Sequence, residues 1–153
     1  MSALILRDYR DTDCEATIEL WWRAWDATFP DIDFSARLPW WRERWTRELV
    51  PNNTIRVAEA GSRLIGFVVI DPRSGYLDQL AIEPESWGQG AADALLDEAK
   101  RLSPAGVTLD VNQDNGRAIR FYERAAFVRA GEGINPLSGR PIWRYEWKPS
   151  AYS

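Results

Sequence analysis

The apolar positions of the chain recur at two spacings, one near two residues and one of three to four, and the change from one to the other divides it into elements. Ile18, Trp22, Trp25 and Phe29, with Trp21 beside them, predict a helix with one buried face that runs to about Thr28. Asp11-Thr12-Asp13 offers its caps, and residues 4–6 before it read as a short strand. Phe29-Pro30-Asp31 ends that helix, and Asp33 or Ser35 opens a second one carrying Leu38, Trp41 and Trp45. Residues 54–59 and 64–70 are apolar strands joined through Ala60-Gly61-Ser62, a credible hairpin. Tyr76–Ile82, between Gly75 and Pro84, is a third short apolar run that reads as a mostly buried strand.

From Gly90 the spacing becomes helical again, with Ala92, Leu95, Leu96, Ala99 and Leu102 on one face. Ser103-Pro104 and Gly106 stop that helix, and residues 107–111 return to the sheet. The helical crossover makes this strand parallel to Tyr76–Ile82. Asp114 or Asn115 opens a last helix. Residues 127–134 and Pro141–Trp147 then form a hairpin around the turn-rich stretch Asn135-Pro-Leu-Ser-Gly139. The expected architecture is α/β with a mixed sheet of about seven strands and about four helices.

Composition narrows the class. The 153 residues make one ordinary domain, 1–153, and 45% apolar content suffices for one sizeable core. A net charge of -4 and a pI near 5.0 give no electrostatic support to nucleic-acid or membrane-surface binding. Cys14 is alone, which excludes an internal disulfide and suits a reducing cytoplasm. With no histidine, His-based triads and His-ligated metal sites are excluded, and no metal is expected. There is neither a signal-peptide pattern nor a run near the roughly 18 apolar residues of a membrane span. Six of the nine tryptophans lie between Trp21 and Trp45. Core or interface packing is the commoner use of such an aromatic stripe, an aromatic substrate pocket the rarer.

The strand-to-helix turn after Ile82 carries the first chemical signal. Gly88 and Gly90 let the backbone approach a ligand and leave free N–H groups at a helix N-terminus, where partial positive charge favours a phosphate. Neither a Walker-type Gly-Lys-Ser/Thr nor a dinucleotide Gly-x-Gly-x-x-Gly is present. Trp87-Gly88-Gln89-Gly90-Ala91-Ala92 instead resembles the acyl-CoA loop of the GCN5-related N-acetyltransferase (GNAT) family. That loop reads Gln or Arg, two residues, Gly, one residue, then Gly or Ala. Gly90 and Ala92 fit; Trp87 stands at the Gln/Arg position and offers one donor and no charge. A second motif runs from Asn115 through Ala118, Phe121 and Tyr122 to Phe127, and matches the later signature of the family. It departs at Ala126, where the family has Gly; if that position is left-handed, alanine costs ~1 kcal/mol. The resemblance covers the chain from about residue 54 to 147 and implies the GNAT fold, with the sheet splayed between strands 4 and 5.

The resemblance further implies acetyl transfer from acetyl-CoA to an amine by direct attack. Carried over residue by residue, it assigns pantetheine to backbone groups of Leu80, Ala81 and Ile82. The pyrophosphate goes to the Trp87-flanked loop of Gly88, Gln89, Gly90, Ala91 and Ala92, and a further contact to Asn115. Tyr122 stands where the family has the acid that protonates the leaving thiolate; the alternative is a packed core aromatic. For the base, Asp78 is the acid on the central strand. By strict alternation it shares a face with Tyr76, Leu80 and Ile82, while Glu83 looks like a loop acid. A catalytic base and a buried structural acceptor are equally compatible with Asp78.

The acceptor is a small-molecule or peptide amine, with a second copy of the chain open as a partner. Asp26, Asp31 and Asp33 favour a cationic acceptor, whereas Arg37, Arg42, Arg44 and Arg47 favour an acid-bearing one. Two rivals remain: a catalytically weak acyl-CoA-binding sensor or interaction module on the same fold, and a nucleotide-phosphate binder using the glycine loop alone.

Overall fold

The computed structural model describes residues 3–149. The chain runs β1 (Leu4–Asp8), α1 (Cys14–Thr28), α2 (Leu38–Arg44), β2 (Thr54–Ala60), β3 (Arg63–Asp71), β4 (Tyr76–Ile82), α3 (Ala91–Leu102), β5 (Val107–Asn112), α4 (Gly116–Arg124), β6 (Val128–Ile134) and β7 (Pro141–Trp147). Helix α2 continues into a π-helical turn over Trp45–Leu49 and a last short turn, Val50–Asn52. The seven strands form one sheet in the order β1-β2-β3-β4-β5-β7-β6. The expected elements are all present, with ends displaced by one or two residues.

Local chemistry accounts for several junctions. Gly61 and Ser62, both at positive φ, make the two-residue turn between β2 and β3 whose twist matches that of the strands. Asp13 stands at the N-cap of α1, yet its carboxylate does not cap. It takes both Nη atoms of Arg7, at 2.8 and 2.9 Å, and so ties the helix start to β1. Asn115 caps α4 by accepting from Ala118 N at 3.3 Å.

Two cores sandwich the sheet. β3 is buried along most of its length because both faces are covered. Val68 and Ile70 face a cluster completed by Leu95 and Leu96 of α3 and Tyr122 of α4. Phe67 and Val69 face the opposite cluster, built from Trp21 of α1 and Trp41 and Trp45 of α2. Trp21 stacks flat on Trp41 at 4.4 Å between ring centroids, and Trp45 meets Phe67 edge-on at 5.1 Å. The tryptophan stripe therefore serves first as core.

Two irregularities break the regular pairing at the centre of the sheet. β4 pairs with β3 from end to end, but with β5 it shares only the Tyr76–Thr108 pairing, so the parallel strands part beyond it. A bulge also interrupts the β3–β4 register: Val69 opposes Gln79 while Ile70 opposes Leu77, which leaves Asp78 as the extra residue. Strict alternation fails at that point. Leu77, Leu80 and Ile82 pack with the α3–α4 cluster, whereas Asp78 reaches Arg44 of α2 on the other side of the sheet. The bulge corrects the expectation that Asp78 shares a face with Leu80 and Ile82.

The end of α4 bears directly on the alanine departure. Phe127 N donates to Tyr122 O at 3.0 Å and Ala126 N to Glu123 O at 3.2 Å, the paired bonds of a Schellman cap. Ala126 sits at φ 72, in the left-handed region where a Cβ is strained. Ala126→Gly is expected to stabilise the fold by about 1 kcal/mol, a rise of roughly 2–4 °C in Tm for a chain of this size. Thermal unfolding followed by circular dichroism measures it; an unchanged or lower Tm would contradict the strain.

Candidate active site

A 3₁₀ turn, Pro84–Ser86, leads from β4 into the glycine loop, where Gly88 (φ 79) and Gly90 (φ 92) both adopt left-handed backbone before α3 begins. A Cβ at either glycine would meet no atom within 4 Å, so protein packing is not what requires glycine here. The requirement is the backbone path, and the open face beside it gives a ligand room to approach. No side chain caps α3, so the N–H groups of its first turn stay free for an acceptor. These features fit a pyrophosphate.

Trp87 spends its one donor inside the protein: Nε1 bonds Ile82 O at 2.9 Å. The charge that this position lacks is found on another element. The guanidinium of Arg117, the second residue of α4, lies 3.5 Å from the Trp87 ring centroid. Among the described residues Arg117 forms no ion pair, and burial alone pushes its pKa below the usual arginine value. The group remains charged at neutral pH.

Where β4 and β5 part, Leu80, Ala81 and Ile82 stay bonded to Val68, Phe67 and Gly66 of β3. Their edges toward β5 have no ladder partner. The gap opens into a cavity of about 900 Å³, whose lining includes Leu80, Asn115, Ala118 and Tyr122 on one side and residues of α1 and α2 on the other. Tyr122 is 8% exposed and held edge-on between Phe121 and Phe127. Its hydroxyl bonds no described residue, and the residue lines the cavity. Burial raises the phenol pKa above its ordinary value, so the group is a proton donor at neutral pH.

The far side of the cavity is paired charge with aromatic walls. Arg44 Nη1 and Nη2 hold Asp78 Oδ1 and Oδ2 at 2.9 and 2.7 Å, and Gln79 Nε2 adds a bond of 3.1 Å. Asp110 takes Arg144 Nε at 3.0 Å and the Tyr76 hydroxyl at 3.2 Å. Arg140 pairs with Asp114 at 2.8 Å and lies over the Phe29 ring. Trp25 and Trp40 line the cavity, unlike the buried Trp45. The aromatic stretch therefore divides between core and pocket.

Glu83, expected as a loop acid, is 1% exposed. It accepts from Ser86 Oγ at 2.8 Å and from Arg63 Nη1 at 2.6 Å, with Arg23 at 3.6 Å, and so braces the end of β4. Most of the opposed charge clues of the N-terminal half resolve into pairs, Asp26 excepted, which makes no ion pair with a described residue. Arg42 pairs with Glu15, Arg44 with Asp78, Arg47 with Glu43, and Asp31 with Arg140, while Asp33 accepts from Ala36 N. Arg37 alone of those arginines has no carboxylate partner among the described residues; it lies over Phe34 and lines the cavity. Sequence reading missed Arg117 altogether. The signal available was its place two residues after Asn115 in the second motif.

Among the described residues no cluster of acids and Cys14 could hold a metal ion, and no helix is long and apolar enough to cross a membrane. Residues 14–127 match the model of the acetyltransferase (GNAT) family. The peptidyl-lysine N-acetyltransferase YjaB of Salmonella typhimurium is 28% identical over 137 residues, 89% of this chain and 91% of that protein. The solution structure of apo YjaB from Escherichia coli superposes with a TM-score of 0.78 at 24% identity, covering 97% of this chain and 99% of that one. The PaiA N-acetyltransferase of Thermoplasma acidophilum, solved with coenzyme A, gives 0.77 at 20% identity, covering 95% and 99%. Splayed strands, glycine loop and a match spanning most of the sequence agree, and the chain belongs to the GNAT family of acetyltransferases.

Proposed function

We propose that this chain transfers an acetyl group from acetyl-CoA to a primary amine by direct attack of the amine on the thioester. The observation that carries the reading is Tyr122, a lining residue of the cavity between the parted strands whose hydroxyl bonds no described residue and which burial keeps protonated. Acetyl-CoA supplies a thioester-activated acetyl group. Backbone groups of Leu80, Ala81 and Ile82 on the open edge of β4 would hold the pantetheine amides, apart from the Ile82 carbonyl, which accepts from Trp87 Nε1. The amides of Gly88, Gln89, Gly90, Ala91 and Ala92 would hold the pyrophosphate, with Asn115 at the neighbouring helix start. Arg117 adds the positive charge that Trp87 cannot provide. Tyr122 Oη donates its proton to the departing sulfur.

Asp78 is better read as an anchor than as the base. Arg44 and Gln79 together take three of the roughly four acceptor positions of its carboxylate, so its work is to fix α2 against the bulge of β4 and to shape the acceptor side. A proton acceptor needs a free lone pair within reach of the amine; the open cavity lets water take that proton. The names of the curated relatives make a peptide lysine one acceptor class; a free small amine is the other. The lone thiol Cys14 suits a reducing cytoplasm as the compartment.

Three outcomes test these roles. Tyr122→Phe is expected to keep CoA affinity and lose about 10²-fold in kcat; intact kcat with only a lower Tm would return Tyr122 to the core. Arg117→Met is expected to weaken CoA binding about tenfold by calorimetry, and an unchanged Kd would reduce Arg117 to a cover for Trp87. For Asp78→Asn the expected loss is about 1–3 kcal/mol of stability, because a half-buried Arg44 is left without its anion. The shape of the kcat/KM profile between pH 5 and 8 stays as in the parent. A limb that disappears in that variant would make Asp78 the base.

A further inference from the structure

The charges lining the cavity are not all neutralised. Asp78, Asp110 and Arg140 are each matched by an oppositely charged side chain. Arg37 and the exposed Glu132 of β6 both belong to the lining of the cavity, and neither makes an ion pair with a described residue. A guanidinium offers a planar fork that suits a carboxylate, and Glu132 suits an ammonium. Between them the walls are flat and apolar: Trp25 stacks on Phe29 and Phe34 at 5.9 Å from each, and Trp40 is 41% exposed.

We infer that the acceptor is a small amine that carries a carboxylate on the same molecule and a flat apolar body, the chemistry of an aromatic α-amino acid. Arg37 reads the carboxylate, Glu132 draws in the amine, and Trp25 and Trp40 hold the side chain. The assignment rests on the acetyl-transfer reading for its reaction, though not for its binding chemistry. A polyamine would leave Arg37 facing a second cation. A lysine side chain in a peptide presents its amine far from any carboxylate of its own, and leaves Arg37 unused.

The experiment compares phenylalanine, phenylalaninamide, phenethylamine and a lysine-containing peptide in thiol release from acetyl-CoA, with the parent chain, Arg37→Gln and Arg37→Lys. Calorimetric binding of phenylalanine and phenylalaninamide in the presence of CoA runs beside it. Phenylalanine is expected to exceed its amide by at least about tenfold in kcat/KM, mostly through KM, as a charge-assisted bidentate pair requires. Arg37→Gln brings that ratio close to one, and Arg37→Lys restores part of it. The calorimetric ratio follows the same pattern. A ratio near one in the parent chain, a ratio unmoved by Arg37→Gln, or faster turnover of the lysine peptide than of phenylalanine overturns the assignment. If thiol release is absent with every amine while the binding ratio responds to Arg37, acetyl transfer fails and the site stands as one that binds the amino acid. Release without any carboxylate preference has the reverse meaning.

Discussion

The site depends on a sheet that stays continuous while two of its strands separate. β4 is bonded to β3 along its length and β5 to β7 along six residue pairs, yet β4 and β5 meet at one pair near Tyr76. A backbone edge left without a partner inside a protein costs free energy unless water or a ligand supplies the missing bond. The parting leaves that edge open to water or to a ligand, and an extended amide-bearing chain such as pantetheine would complete it as a further strand does. The two cores, one on each face, hold the strands apart without breaking the sheet.

The two faces of the sheet carry different chemistry. α3 and α4 bring the free N–H groups of the glycine loop, the Arg117–Trp87 stack and the Tyr122 hydroxyl, all suited to a phosphate-bearing thioester. α1 and α2 bring aromatic walls and arginines, most of them already matched by acids. The bulge at Asp78 joins the halves: one inserted residue turns a carboxylate from the cofactor side toward α2, where Arg44 secures it. Bulges beside functional sites commonly re-aim a side chain in this way.

Much of this was legible from local pattern. Periodicity located the helices and strands, the crossover after Ile82 required a parallel neighbour, and the two motifs pointed to the loop and to Tyr122. What escaped was nonlocal. Asp78 and Arg44 are 34 residues apart, and no spacing rule joins a strand acid to a helix arginine. The bulge arises from register with β3, so alternation within β4 alone assigned Asp78 to the wrong face. Glu83 resembled a solvated loop acid because Arg63 and Ser86 converge on it only in the folded chain. Arg117 of α4 lies over the Trp87 ring of the glycine loop, a meeting that a motif read position by position records simply as a mismatch at Trp87.

If the open edge of β4 and the loop after it form one binding surface for CoA, titrating CoA into ¹⁵N-labelled protein, with ATP as the parallel ligand, reveals it in the NMR shifts of the backbone amides. CoA is expected to shift Leu80, Ala81 and Ile82 together with Gly88 through Ala92, and ATP to leave β4 unshifted. Shifts confined to the loop and equal for both ligands, or CoA-induced shifts that bypass β4 and the loop, would contradict it.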